Sequence, residues 1–95
     1  MDHITAIRAF VQAAKRENFS LASRDLGTTP SVISRYVKEL ENDLGVRLMT
    51  RTTRRVSLTE AGENFLVRAE ALLDDFDTLR DSTQALHSAP QAHYA

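Results

Sequence analysis

Residues 19–38 read FSLASRDLGTTPSVISRYVK, and this stretch decides the fold. Ser20 is a good N-cap, and Leu21, Ala22 and Leu26 give a short helix its apolar face. Gly27 stands where the residue after a helix often takes positive φ. Thr28 and Thr29 can cap the next helix, and Pro30 falls at its first position, where the missing N–H costs nothing. Ile33, Val37, Leu40 and Leu44 then form the buried stripe of a helix over roughly 30–43, ended by Gly45. Two helices joined by so tight a turn make a helix-turn-helix, over about residues 19–38.

Working outward, Ile4, Ile7, Phe10, Val11 and Ala14 recur at helical spacing, so residues 3–16 read as an amphipathic helix in front of the motif. Behind it, residues 46–58 change character. Val46, Leu48 and Met49 precede the polar run 50–55, and Val56 and Leu58 follow it, which predicts a short hairpin. Thr59 is the expected N-cap of a last helix over 59–87, about 43 Å long at about 1.5 Å per residue, with Glu60 and Glu63 favouring its start. In that helix Phe65, Ala69, Leu72, Phe76, Leu79, Thr83 and Leu86 alternate in steps of four and three, the spacing of a dimerising seam. Leu66 and Leu73 lie beside the seam and are expected to pack on the chain's own domain. Pro90 stops the helix, and 89–95 reads as a flexible tail or the start of a further domain. The expected architecture is mainly α. A winged helix-turn-helix fills residues 1–59, with the wing at about 46–58, and a linker and dimerisation helix fills 60–88.

The charge is split between these parts. Residues 1–59 hold ten Lys/Arg against six Asp/Glu, and residues 60–95 hold two against seven. The overall charge of −1 conceals a basic head, which suits an anionic partner, and an acidic helix. An α-helix fits the major groove of duplex DNA, with its N-terminal residues facing base edges. Here that end offers Thr28, Thr29, Pro30 and Ser31. Ser31, Ser34, Arg35 and Lys38 stand at i, i+3, i+4 and i+7 on one face, opposite the apolar stripe. Arg35 can donate two bonds to a guanine. Ser20 is a further candidate contact. Arg51, Thr52, Thr53, Arg54 and Arg55 on a hairpin tip would clamp phosphates or the minor groove. Arg35 and Lys38 could instead pair with Glu39, Glu41 or Glu17 as solvated helix residues.

Other classes find little support. There is no cysteine, hence no disulfide and no thiolate metal site, and a reducing, cytoplasmic setting is expected. His3, His87 and His93 are scattered without metal-ligand spacing, and Ser34 has no His/Asp partner at a plausible spacing, so neither metal nor catalytic residues are expected. Asp74, Asp75 and Asp77 read as a solvated helix face that keeps this helix off phosphates. Asp2, His3, Arg8 and Gln12 interrupt any signal-peptide pattern, and no apolar run approaches the ~20 residues of a membrane span.

Several runs stand together in one order and spacing. They are 7–11 (IRAFV), 18–22 (NFSLA), Leu26, 29–35 (TPSVISR), Leu40-Glu41, 44–48 (LGVRL) and 51–62 (RTTRRVSLTEAG). On these, about two thirds of the chain resembles the N-terminal domain of LysR-type transcriptional regulators. The resemblance implies a DNA-binding transcription regulator that is not an enzyme and needs no cofactor in this part. It implies a linker helix that dimerises, often a tetramer, and an interrupted palindromic operator. It also implies a C-terminal effector-binding domain, through which alone a small molecule would act. Pro90 falls where such a domain would begin, so a piece of a longer regulator is expected. Two positions depart from the pattern: Pro30, where many relatives carry a base-reading Gln, and Met49, where many carry Phe. Pro30 shifts base reading to Ser31, Ser34 and Arg35. A competing expectation is an interaction module without an effector domain, forming mixed dimers with longer relatives through the seam.

Overall fold

The computed structural model describes residues 1–51 and 55–88. Thr52, Thr53 and Arg54, the helix stop at Pro90, His93 and the expected tail lie outside the described residues. The elements run α1 (His3–Arg16), α2 (Phe19–Leu26), α3 (Pro30–Leu44), β1 (Met49–Arg51), β2 (Val56–Leu58) and α4 (Glu60–Ser88). The two strands pair antiparallel, with Met49 opposite Leu58, Thr50 opposite Ser57 and Arg51 opposite Val56. This is the winged helix-turn-helix with a long C-terminal helix that the spacing predicts.

One core holds the first 58 residues together. α1 buries Ala6, Ile7, Ala9, Phe10, Val11 and Ala13, and α3 lays Ile33, Val37 and Leu40 against them. Leu48, Met49 and Val56 close the core from the wing side. Each of the large side chains contributes roughly 1.5–3 kcal/mol by leaving water. Phe10 is wholly buried and meets the Phe65 ring edge-on, with centroids 5.4 Å apart. Two residues of the expected stripes lie at the periphery instead: Leu26 and Leu44 are 40% and 43% exposed. Both stand in the last position of a helix, where a Gly turns the chain away.

The caps explain where each helix begins. Asp2 accepts from the Thr5 N–H and hydroxyl to open α1, and Thr29 accepts from the Val32 N–H to open α3, with Pro30 at its start. The cap of α2 differs from expectation. Asn18, in extended backbone, accepts from the Leu21 N–H at 2.8 Å, so the helix starts before Ser20 and Ser20 lies within its first turn. Glu17 takes the left-handed conformation at φ 53°, the turn that lets α1 stop and Asn18 extend. Gly27 and Gly45 end α2 and α3 at φ 68° and 71°, a conformation that costs a Cβ-bearing residue more.

Thr59 joins the wing to α4. Its hydroxyl donates to the Arg47 carbonyl at 2.7 Å and accepts from the Gly62 N–H at 2.9 Å, while its own N–H donates to the Leu48 carbonyl. The first turn of α4 therefore lies directly on the start of β1. A Cβ at Gly62 would stand 2.0 Å from the Leu48 carbonyl oxygen, so only glycine permits this approach.

The long helix divides in two. Ala69 and Leu73 are buried in the core and Phe65, Leu66 and Phe76 are partly covered. The expected seam is thereby corrected: Phe65 and Ala69 are spent within the chain, because the first half of α4 packs on α1 and β2. Leu66 and Leu73 pack as anticipated. Leu72, Leu79 and Leu86 remain 47%, 62% and 71% exposed, and Thr83 is exposed among them.

Candidate nucleic-acid interface

The buried side of α3 fixes what its other side shows. Because Ile33, Val37 and Leu40 are almost fully covered, Ser31, Arg35 and Lys38 are turned outward along the opposite ridge, with Ser34 half-buried beside them. Thr29 and Pro30 are exposed at the helix start, where N–H groups without helical partners favour anions. The Thr29 hydroxyl is engaged as the cap and lies 3.3 Å from the Ser31 hydroxyl. Thr28 is half-buried and donates its N–H to the Ser23 carbonyl, so it shapes the turn. The Arg35 guanidinium stands 3.5 Å from Glu39 and 5.2 Å from the centre of the Tyr36 ring. The pair to Glu39 is solvent-exposed and of the i, i+4 type, a contact of only a few tenths of a kcal/mol.

The wing is attached to the buried side of α3 by a residue not anticipated as part of the site. Glu41, with 9% of its side chain exposed, accepts from the backbone N–H groups of Leu48 and Met49 at 2.8 and 3.1 Å. A carboxylate that receives two amides makes charge-assisted bonds, stronger than neutral ones. It carries the start of β1 on the same helix that presents Arg35 and Lys38. Its position betrayed it: Glu41 lies four residues after Val37 on the apolar face, where an unpaired carboxylate would be costly.

Across the hairpin the Thr50 and Ser57 hydroxyls meet at 3.0 Å. Arg55, at the foot of β2, is exposed and lies 3.6 Å from Glu17. The structure thus ties the start of β1 to α3 through Glu41 and sets Arg55 beside Glu17 at the end of α1. Ser20 is exposed on α2, and of the wing tip only the backbone of Arg51 is described. Another correction concerns Asp77. With 46% of its side chain exposed, it is not merely solvated but pairs with Arg8 of α1 at 2.6 Å, and the Arg8 hydrogen bonds hold its carboxyl below the usual carboxylate range. Among the described residues, no group of three His, Asp or Glu side chains is placed to hold a metal ion. No described helix is long and apolar enough to cross a membrane.

The sequence profile of bacterial regulatory helix-turn-helix proteins of the lysR family matches residues 4–63. The chain belongs to the LysR family. It is 48% identical over 77 residues to a transcriptional regulator of Shigella flexneri called YfeR, covering 80% of this chain and 25% of that protein. It is 40% identical over 85 residues to the regulator CrgA of Neisseria meningitidis, covering 90% of this chain and 28% of CrgA. The LysR-family chain thus spans about a quarter of the length of the curated relatives it matches. Its fold superposes on the DNA-binding domain of BenM in complex with catB site 1 DNA, with a TM-score of 0.85 at 29% identity, covering 94% of this chain and 98% of the other. The DNA-binding domain of CbnR, also solved with DNA, gives 0.82 at 31% identity, covering 92% and 99%. These residues form a LysR-type helix-turn-helix DNA-binding domain of the transcription-regulator class.

Proposed function

We propose that this LysR-type domain reads duplex DNA with the N-terminal half of α3 in the major groove and the wing on phosphates or the minor groove, as a two-fold dimer on an interrupted palindrome. The observation that carries the reading is the exposed ridge of Ser31, Arg35 and Lys38 on a helix whose other side is locked in the core. Support comes from the basic surplus of residues 1–59 and from the likeness to BenM and CbnR domains solved with DNA. Arg35 is the base reader, since its exposed pair with Glu39 gives way at little cost. Ser31, Ser34, Lys38 and the exposed Thr29 and Ser20 make further backbone or base contacts, and the stretch from Arg51 to Arg55 the wing contacts. Residues 1–59 act as the reading head and 60–88 as the linker. The exposed Leu72, Leu79 and Leu86, seven residues apart, are the contact to a second copy. The protein works in the cytoplasm at the nucleoid, and any effector acts through residues beyond these.

Fluorescence-anisotropy titration tests this, using duplexes selected from a random library and scrambled controls at several salt concentrations. Affinity should fall steeply with salt, and the selected duplex should win. Arg35→Ala should reduce that discrimination by about ten-fold or more. Equal affinity for selected and scrambled DNA, or indifference to salt, would sink the reading.

A further inference from the structure

The contact line between α4 and the head ends at one residue pair. Ala69 and Leu73 are buried, Lys15 reaches Glu70 at 3.4 Å, and Phe76 is partly covered. Then Arg8 of α1 donates two bonds to Asp77, at 2.6 and 3.4 Å, with its guanidinium 5.9 Å from the centre of the Phe76 ring. From Thr78 to His87 every side chain is exposed. Arg8–Asp77 is therefore the outermost contact on α4 among the described residues.

Its base is rigid, because Arg8 stands between Ile7 and Ala9, both in the core. A forked guanidinium–carboxylate contact restrains direction as well as distance. Placed at the end of the contact line, it has the longest lever on the angle of α4. Leu86 lies nine residues further on, about 13 Å at about 1.5 Å per residue, so a tilt of about 10° moves it by about 2 Å. Two protomers tilted alike would change the separation of their heads by roughly one base-pair step of about 3.4 Å.

We propose that the Arg8–Asp77 bracket sets the direction in which the head holds the projecting end of α4, and so selects the spacing between the two half-sites that a dimer reads. The inference rests on the DNA-binding dimer proposed above. Arg8 and Asp77 are positioning residues and touch no base.

Two measurements test it on the whole chain, each with Arg8→Gln and Asp77→Asn. The sequence contains no cysteine, so spin labels at Asn42→Cys and Ser82→Cys report the head-to-helix distance cleanly, with unlabelled chain added to suppress signals between protomers. The unsubstituted bracket should give one narrow distance, and both variants should broaden it. Selection from random duplexes should return one dominant half-site spacing. The variants should keep the half-site sequence, while preference over the neighbouring spacing falls about three-fold. Unchanged distance width and unchanged spacing preference would overturn the role of the bracket while leaving DNA binding intact. Failure of the unsubstituted protein to enrich any sequence would overturn the DNA-binding reading, and the spacing role with it.

Discussion

The two halves of α4 carry one continuous helical pattern into opposite surroundings. Up to Asp77 the helix is a wall of the reading head: Ala69 and Leu73 are buried and Phe65 meets Phe10. From Thr78 to His87 all side chains face solvent, although Leu79 and Leu86 are as apolar as Leu73. Apolar spacing therefore says that a helix has a face, and not whose surface covers it. The first half answers that with its own α1 and β2. The second half presents leucines that no described residue of the chain covers.

The strongest way to break the comparison is to unseat the held half. Gly62→Ala puts a Cβ 2.0 Å from the Leu48 carbonyl oxygen, against backbone that cannot rotate aside. Alanine is favoured over glycine in a helix by about 1 kcal/mol, but the overlap forces α4 off the wing. A net loss of about 3 kcal/mol is expected, read by denaturant unfolding. Unchanged stability would mean that α4 is not seated on β1 as described.

A smaller effect is expected at the wing. Glu41→Gln keeps the shape but removes the charge that receives the Leu48 and Met49 amides. The expected loss is about 1–2 kcal/mol. It should come with faster hydrogen exchange at those two amides, while the amides of α1 keep their relative protection. Wing amides as protected as before would show that the carboxylate does not hold the strand.

How much of this was legible in the sequence depends on how local the cause was. Gly27, Thr29 and Pro30 act through their own backbone, so the turn and the start of α3 could be read directly. Thr59 was legible as a cap for the same reason, but its bond to the Arg47 carbonyl was not. Asn18 overruled Ser20 as a cap because Glu17 accepts a left-handed turn, which composition does not announce. Glu41, Gly62 and Asp77 serve partners seven to 69 residues away, and nothing local marks those distances. Glu41 within an apolar stripe and Gly62 within a helical first turn were irregularities that could have flagged them. The periodicity of α4 did not tell its two surroundings apart: Leu72, Leu79 and Leu86 remain exposed, while Phe65 and Ala69 share the same spacing and serve the core.

The projecting half offers the opposite test. Leu86→Ala removes a side chain that is 71% exposed, so the unfolding free energy of the head should move by no more than about 0.5 kcal/mol. Light scattering at two concentrations should instead show weaker self-association. A head destabilised as much as by a core truncation would erase the distinction between the halves.

The smallest effect lies at the boundary itself and is drawn out by acid. Hydrogen bonding to Arg8, aided by the charges of Arg8 and Arg80, lowers the Asp77 pKa on folding. A lowered carboxylate pKa contributes stability above the unfolded value of about 3.9, and that contribution is lost as pH falls through the folded value. Asp2 has its pKa lowered by Thr5, so acid weakens the start of α1 in the same window and the total acid response does not isolate the bracket. The difference between the unsubstituted chain and Asp77→Asn does isolate it, because Asp2 is common to both. That difference should be constant from neutral pH to about pH 5 and shrink below about pH 4. A gap that stays open in acid would mean that Asn fails there for reasons of packing rather than charge. The boundary at residue 77 would then rest on Phe76 and Leu73 alone.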